Sequence, residues 1–423
     1  MMKLNQVCYR TLHLKKSWTL SAYQSVGGYS ALKYIIRTNM SPEEIIKEIK
    51  ISSLRGRGGA GFPTYVKWDA IDRTQNEDKY VVCNSDEGEP GTCKDRYILT
   101  YNPHQLIEGM IIAGYTIGAK IGYNYIRGEF WLPFKRMEEA IKEAYIFGFL
   151  GKNILNSNIN FDLYNHLGAG SYICGEETAL LNSLEGKIGQ PRFKPPLPAK
   201  FGLYGKPTLI NNTETLASIP LIVEKGGEWF LNIGKPPNNG GTKCFSVTGH
   251  VNRPGNYEVS LGTPFRAVLS LAGGVYGGNK IKAVIPGGTS MKVVLGEIMM
   301  NLDLDFDSLR DIGSGLGSGA IIVMNENTCM VNALYCITKF YMEESCGQCT
   351  PCREGVGWMF RLVRKIKYGL GNLNDIDTLI NIANNIEGKT ICAFGDAASW
   401  PVQSFIKNFY DEFECFIKKK IFF

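Results

Sequence analysis

The chain has 423 residues, 44% of them hydrophobic and 11% aromatic, a composition typical of packed globular domains that excludes a largely disordered or collagen-like protein. The net charge of +6 is too small to indicate nucleic-acid binding, and no apolar run approaches the roughly twenty residues that a membrane-spanning helix needs. Twelve cysteines with one dense group among them indicate a reducing compartment in which thiols hold a metal.

The first 50 residues are predicted to form a lead-in and one helix. Ser41 suits the N-cap and Pro42 suits the first helical position. Glu43 and Glu44 fall in the first turn, where the helix dipole favours carboxylates. We expect this helix to run to about Leu54 and to lead directly into a loop rich in glycine.

The glycine-rich loop spans residues 55–64 and reads RGRGGAGFPT. Gly56, Gly58 and Gly61 match the spacing of the dinucleotide-binding fingerprint, but that fingerprint follows a strand, and here a helix precedes it. An ordinary Rossmann start is therefore excluded. The loop offers free N–H groups and two arginines, and a helix should begin near Thr64. These features together predict a phosphate-binding loop instead. A tight packing loop without a ligand is the alternative.

An acidic loop follows the first predicted strand, over 79–83. Residues 84–91 read NSDEGEPG, and in open α/β sheets ligands bind at the carboxyl ends of parallel strands. Asp86, Glu87 and Glu89 are therefore predicted to hydrogen-bond ribityl or ribose hydroxyls and to oppose the extra phosphate of NADPH. A solvated acidic loop is the alternative.

Helices over 103–119 and 135–147 alternate with strands over 123–127 and 160–164, which predicts a parallel sheet. A second glycine loop, 168–178, leads into a helix that should carry Glu176 and Glu177 in its first turn. Either the helix dipole or a ligand would favour these carboxylates, and the preceding loop favours a site. The proline-rich segment 189–207 would present cations to phosphates, and residues 211–215 cap a further helix or bind a ligand.

The pattern changes near residue 240. Strands over 243–249, 257–260, 281–285 and 320–324 surround one helix over 263–272, which predicts an α+β domain of the β-grasp (ubiquitin-like) type. Helices over 332–341, 355–367, 375–384 and 402–413 then predict a C-terminal four-helix bundle. The expected domains are a lead-in over 1–50, a Rossmann-like α/β domain over 51–240, a β-grasp domain over 241–330 and a helical domain over 331–423.

The helical domain contains the densest cysteine motif. Cys346, Cys349 and Cys352 follow a C-x2-C-x2-C spacing, and Cys392 can close a four-thiolate cage of the kind that holds an iron-sulfur cluster. A structural zinc site usually draws its cysteines as two separated pairs, so zinc is a less favoured alternative. The third possibility is that these cysteines share no metal and are unrelated thiols.

With these motifs in place, the chain resembles the NADH-binding flavoprotein subunit of respiratory complex I over nearly its full length. The motifs that carry the resemblance are 55–64, 84–91, 168–180 (GAGSYICGEETAL), 185–187 with 194–196, 211–216 (NNTETL), 344–355 (ESCGQCTPCREG) and 390–393 (TICA). The resemblance implies FMN in the Rossmann-like domain, one 4Fe-4S cluster in the helical domain, and NADH as substrate.

The resemblance also implies roles for individual residues. The cofactor-binding residues would be Gly56, Arg57, Gly58, Gly59, Gly61, Phe62, Lys67, Asn84, Asp86, Glu89, Tyr172, Gly175, Glu176, Lys194, Asn211, Asn212 and Thr215. Glu87 and Glu177 would be the catalytic carboxylates, because they orient the nicotinamide and its ribose. Cys346, Cys349, Cys352 and Cys392 would ligate the cluster. The family usually has phenylalanine at Ala70 and Leu197, so weaker NADH stacking is expected here. It usually has glycine at Tyr65, whose ring would partly replace or partly obstruct that stacking.

The activity so implied is hydride transfer from NADH to FMN and onward single-electron transfer to the cluster and to quinone. The expected partners are other peripheral-arm subunits, including a thioredoxin-like 2Fe-2S subunit and a multi-cluster iron-sulfur subunit, with no nucleic acid and only indirect contact with the membrane. We expect the cytoplasmic side of a bacterial inner membrane, with the mitochondrial matrix side as the alternative. The alternative functions are a diaphorase subunit of an NAD-linked hydrogenase or formate dehydrogenase, and a zinc-stabilised scaffold.

Overall fold

The computed structural model describes residues 4–75 and 77–419. Residues 1–3 of the predicted lead-in and 420–423 of the predicted helical domain lie outside the described residues. The helices are α1 (Leu20–Ser25), α2 (Ser30–Thr38), α3 (Pro42–Ile51), α4 (Thr64–Asp69), α5 (Lys94–Tyr101), α6 (Pro103–Ile117), α7 (Trp131–Ile146), α8 (Glu177–Leu184), α9 (Thr213–Lys225), α10 (Gly227–Ile233), α11 (Phe265–Leu271), α12 (Gly296–Met299), α13 (Phe306–Asp311), α14 (Met330–Glu344), α15 (Thr350–Lys367), α16 (Leu373–Ile386) and α17 (Phe394–Lys419). The strands are β1 (Tyr80–Ser85), β2 (Ile121–Ile126), β3 (Asp162–Leu167), β4 (Thr208–Asn212), β5 (Thr242–Gly249), β6 (Gly255–Ser260), β7 (Thr263–Pro264), β8 (Ile281–Ile285), β9 (Val294–Leu295), β10 (Asp303–Leu304) and β11 (Ala320–Asn325).

The first sheet is parallel and has the order β3-β2-β1-β4. In its centre, Tyr80 of β1 lies opposite Ile121 of β2 and Thr208 of β4. The apolar centre of β1 is fully buried, as expected for a strand covered on both faces. The predicted parallel sheet is therefore confirmed, and β4 is an additional strand that the proline-rich segment before it concealed.

The helices around this sheet pack against it and form a large hydrophobic core. Every residue of α6 except Tyr115 is buried, and α6 packs against α9 and β1. Ser41 and Glu44 form a reciprocal capping box at the start of α3, as their spacing predicts. This helix ends at Ile51, three residues before its predicted end. Residues 52–54 separate the end of this helix from the first glycine loop.

The second sheet has the order β6-β5-β11-β8-β9. Strand β11 runs parallel to β5 and antiparallel to β8, while β6 and β9 are antiparallel edge strands. The four strands and the helix predicted for this region are all present. A separate two-stranded pair, β7 with β10, lies outside this sheet.

The C-terminal region is helical, as predicted. Helices α14 to α17 share one apolar core, and each is longer than its predicted span. In particular α17 begins at Phe394 rather than near residue 402, so its first turn follows Cys392 directly. Within residues 4–75 and 77–419, no helix combines the length and the apolar character that a bilayer crossing requires.

Candidate functional site

The strand order places a crevice between β1 and β4. The chain leaves β1 for β2 and β3 on one side, and β4 lies on the other side of β1. Open α/β sheets bind ligands at such a reversal, beyond the carboxyl ends of the strands. Asn84 lies near the end of β1, and Asn211 and Asn212 end β4. Three of the predicted cofactor-binding residues are therefore neighbours at this edge.

The first glycine loop lies against the same edge. Its ends are joined by the Gly56 N–H, which donates to the Phe62 carbonyl at 2.8 Å. A Cβ atom at Gly58 would lie 3.1 Å from the Asn212 Cβ, and the Arg57 N–H donates to Thr215 Oγ1 at 2.9 Å. At Gly59, in contrast, a Cβ would meet no atom within 4 Å. The loop thus rests on β4 and α9 while one side of it stays open.

Arg57 carries two buried donors without partners. Its side chain is fully buried, and Nη2 donates to the Gly240 carbonyl at 2.7 Å. Its Nε and Nη1 have no hydrogen-bond partner among the described residues. Burial lowers the pKa of this guanidinium. Because the Arg57 side chain is 0% exposed, these N–H groups face the protein interior, where the Phe306 ring centre lies 5.8 Å from Cζ, and not the open crevice.

The three carboxylates of the acidic loop face different surroundings. Burial raises the pKa of Asp86 to about 7. Glu87 is buried and accepts the Asp95 and Arg96 N–H groups at 2.9 and 3.1 Å, so it caps α5, and burial raises its pKa to about 7. The reading of this loop as solvated is therefore wrong for Glu87.

Glu89, the third carboxylate, joins the acidic loop to two other parts of the chain. It accepts the Tyr172 hydroxyl at 2.6 Å and the Ser290 N–H at 2.9 Å. The Tyr172 ring in turn contacts the rings of Tyr341 and Phe394. Glu89 and Tyr172 thus connect β1's loop with the second sheet and the helical region.

The second glycine loop supplies an ion-pair cluster. Glu177 accepts from Lys67 and from Lys194, both at 2.8 Å, and Lys194 also reaches Glu176 at 2.8 Å. Burial opposes ionisation of Glu177, but the two lysines lower the pKa of its carboxyl overall. Glu176 lies at the N-cap of α8, not in its first turn as predicted, because its carboxylate accepts the Thr178 and Ala179 N–H groups. Four predicted residues from separate segments therefore lie together.

Three aromatic residues of the site region, Trp68, Phe62 and Tyr65, have different surroundings. The Trp68 indole N–H donates to Asn211 Oδ1 at 2.9 Å and so fixes an amide at the end of β4. Phe62 is 47% exposed and Leu197 is 55% exposed, which leaves both side chains open to a ligand. Tyr65 instead packs on the N-terminal core, with the Lys50 ammonium 5.5 Å from its ring centre.

All four predicted cysteine ligands line one cavity. Cys346, Cys349, Cys352 and Cys392 share it with Ile173 and Phe394. Burial raises the pKa of Cys352 to about 11 and that of Cys392 to about 12. Only a strongly cationic centre would hold such thiols as thiolates at neutral pH. Four sulfur donors around one small space fit an iron-sulfur cluster by their chemistry.

The cysteine cavity and the crevice share a wall, the 3-10 turn Tyr172–Gly175. The Asn84 side-chain amide donates to the Gly175 carbonyl at 2.8 Å, on the crevice side. Ile173 of the same turn lines the cysteine cavity. One short turn therefore separates the two candidate sites.

A buried charge network below the crevice escaped prediction. Lys94 contacts Asp95 at 2.8 Å and Glu214 at 3.0 Å, and Lys243 contacts Glu214 at 2.7 Å. The Asn212 amide donates to Asp95 at 2.7 Å, which links this network to the end of β4. These residues lie up to 149 positions apart in sequence. Lys94 is followed by Asp95 and Arg96, so its sequence neighbours gave no signal that it is buried.

Three family models match the chain. A Nuo51 FMN-binding domain matches residues 49–221, an SLBB domain matches 244–294, and an iron-sulfur binding region of NADH-ubiquinone oxidoreductase F matches 332–415. Among curated relatives, the F subunit of the NADH-quinone oxidoreductase of Rickettsia bellii is 50% identical over 98% of this chain and 99% of its own length. The corresponding protein of Rickettsia typhi, which bears the same name, is 50% identical over 99% of each chain.

Solved structures give a second comparison. An NAD+-reducing nickel-iron hydrogenase in its H2-reduced state has a TM-score of 0.81 at 34% identity, covering 89% of this chain and 63% of that one. The air-oxidised enzyme has a TM-score of 0.83 at 32% identity, covering 96% of this chain and 67% of that one. The chain therefore spans about two thirds of the hydrogenase chains it matches.

Proposed function

Because the chain belongs to the family of NADH-quinone oxidoreductase F subunits, we propose that it is the NADH-oxidising subunit of complex I. The observation that carries this proposal is the shared wall, since Gly175 contacts the crevice and Ile173 contacts the cysteine cavity. Bound FMN supplies the exchange of an electron pair for single electrons, which NADH oxidation and an iron-sulfur cluster together require.

The crevice between β1 and β4 is proposed to hold FMN. The first glycine loop supplies backbone that approaches closely, and the open side at Gly59 leaves room for a ligand. The proposed FMN residues are Gly56, Arg57, Gly58, Gly59, Gly61, Lys67, Asn84, Asp86, Tyr172, Gly175, Glu176, Asn211, Asn212 and Thr215. The Trp68 and Asp95 contacts hold the two asparagines in place.

NADH is proposed to bind where Phe62 and Lys194 are accessible. Phe62 offers an exposed ring for stacking, and Glu177 with its two lysines offers hydrogen bonds to ribose and carboxamide groups. Glu87 and Glu89 complete the proposed NADH residues. Glu87 is only 6% exposed, whereas the Glu177 side chain is 23% exposed, so Glu177 is the more accessible of the two catalytic candidates.

The cysteine cavity is proposed to hold one 4Fe-4S cluster through Cys346, Cys349, Cys352 and Cys392. Ile173 and Phe394 close the cavity with apolar surface, which keeps water away from the sulfurs. The proposed domain limits are 51–240, 241–330 and 331–423, and the matched regions support them. The strand order of the second sheet supports a β-grasp arrangement for the middle domain.

The proposed partners are other peripheral-arm subunits, including a thioredoxin-like 2Fe-2S subunit and a multi-cluster iron-sulfur subunit. The proposed location is the cytoplasmic side of a bacterial inner membrane; the Rickettsia relatives support its bacterial part. The hydrogenase neighbours support a second candidate function, the NAD-reactive subunit of a hydrogenase, which would use the same site.

Anaerobic titration of the purified full chain with NADH tests the proposal. We expect NADH to bleach flavin absorbance, iron to be present at four atoms per chain as a 4Fe-4S cluster requires, and the reduced protein to give an electron paramagnetic resonance signal. Zinc without a paramagnetic signal would overturn it. Rescue of a strain that lacks the corresponding complex I gene separates complex I from hydrogenase, because only the former restores NADH:quinone activity in membranes.

A further inference from the structure

A serine hydroxyl contacts one of the four cysteine sulfurs. Ser345 is the C-cap residue that follows α14 and is half-buried, and its Oγ lies 3.2 Å from the Sγ of Cys352. In the part of the chain that the structure describes, no other side chain makes a hydrogen bond to a sulfur of this set.

The surroundings of Ser345 set the direction of this hydrogen bond. The Gly347 N–H donates to Ser345 Oγ at 3.4 Å and so occupies one of the oxygen's lone pairs. The Gly347 carbonyl is itself held by the Arg353 guanidinium at 3.3 Å. A sulfur that ligates iron carries no proton, so the hydroxyl must be the donor in the bond to Cys352.

We propose that Ser345 is a positioning residue that raises the reduction potential of the cluster through an O–H···S hydrogen bond to Cys352. This inference rests on the proposed function, because it requires a cluster at the four cysteines. Hydrogen bonds to ligating sulfurs favour the reduced form, since reduction increases the negative charge on those sulfurs. One electron enters the cluster and no proton moves, because the serine proton stays on its oxygen.

The test is a redox titration of the full chain in its assembled complex, followed by electron paramagnetic resonance. For Ser345→Ala we expect the ratio of reduced to oxidised cluster at a fixed potential to fall about tenfold, which is about 59 mV for one electron. Ser345→Thr keeps the hydroxyl and should titrate like the wild type. Thr350→Ala is the matched control, because Thr350 is an exposed residue of the same motif and its hydroxyl makes no hydrogen bond among the described residues.

A wild-type potential in Ser345→Ala with its iron retained would overturn the inference. If Ser345→Ala loses iron, Ser345→Thr and Ser345→Val are compared instead, because the two side chains have the same shape and only threonine has a hydroxyl. A lower reduction potential in Ser345→Val than in Ser345→Thr supports the inference. Should both hydroxyl-free variants lose the cluster while threonine keeps it, the hydroxyl is structural and the tuning role is rejected. A wild-type protein without iron would instead reject the proposed function itself.

Discussion

Lys194 is the side chain that draws two carboxylates of the second glycine loop together. It contacts Glu176 and Glu177 at 2.8 Å each and remains about a third exposed. We expect Lys194→Met to raise the KM for NADH about tenfold with kcat little changed, because a hydrogen bond to a charged group is worth about 1.5 to 3 kcal/mol and exposure reduces that value.

Steady-state NADH oxidation by the flavin-loaded protein measures this effect. Lys187→Met is the matched control, because Lys187 pairs with Glu185 at 2.7 Å but is 66% exposed. Unchanged KM together with lost flavin in Lys194→Met would assign Lys194 to FMN and contradict its NADH role.

Asp86 makes the stability of the flavin-free protein depend on pH. Burial raises the pKa of this carboxyl from 3.8 to about 7, so between these values the folded state holds a proton that the unfolded state releases. Its contribution to stability therefore falls as pH rises through this window and reaches its minimum above about 7. The loss is at most about 4 kcal/mol, since one pKa unit corresponds to about 1.4 kcal/mol.

Asp86→Asn removes this titration without changing side-chain size. We expect the melting temperature of Asp86→Asn relative to wild type to rise between pH 5 and pH 8. A difference that stays constant over that range would show that Asp86 ionises normally in the folded protein.

The sequence predicted the cysteine ligands but not the buried charge network. Cys346, Cys349 and Cys352 lie within seven consecutive residues, so their spacing alone indicates a shared ligand. Lys94, in contrast, meets Glu214 at 3.0 Å across 120 positions, and only folding shows that it has a buried partner.

At the scale of elements, the first glycine loop is held by a contact that no other residue type would allow. Gly61 has φ +62°, and a Cβ there would lie 2.7 Å from the ring of Phe306, a buried residue of α13. We expect Gly61→Ala to displace the loop and to lower the FMN content severalfold. Left-handed backbone alone costs roughly 1 to 2 kcal/mol for an alanine, and the clash adds to it.

Gly118→Ala provides the matched control for Gly61. Gly118 has φ +78° at the end of α6, but a Cβ there would meet no atom within 4 Å. Its substitution should lower the melting temperature by the backbone cost alone and leave the bound FMN per chain unchanged. Equal flavin loss in both variants would indicate general destabilisation rather than displacement of the loop.

Elements were predictable where local signals agreed. Helix α3 has an N-cap, a first-position proline and a capping box, and its start was predicted at the correct residue. Helix α5 was missed, because the side chain of Cys93 at its N-cap makes no capping hydrogen bond and its first turn buries Lys94 and Asp95. The carboxylate that caps it comes from Glu87, seven residues before the helix, outside any local capping pattern.

At the scale of the whole molecule, the first and second sheets are joined by buried charge. Lys243 lies on β5 of the second sheet, whereas Glu214 belongs to α9 beside the first sheet. The two lysines that contact Glu214 hold its pKa down to about 2, although burial opposes this. The matched family regions show where the units lie in sequence, but only these long-range contacts show why they pack as one body.

The charge on Glu214 should therefore be required for the two sheets to stay packed together. We expect Glu214→Gln to lower stability by about 3 to 5 kcal/mol, because it leaves Lys94 and Lys243 buried without their shared anion. Glu258→Gln is the matched control, since Glu258 is equally buried but accepts only uncharged donors, the N–H groups of residues 7–9 and the Thr242 hydroxyl. Thermal unfolding followed by near-ultraviolet circular dichroism should show the larger loss in Glu214→Gln. A loss no greater than that of Glu258→Gln would mean that apolar packing, and not the buried ion pairs, holds the two sheets together.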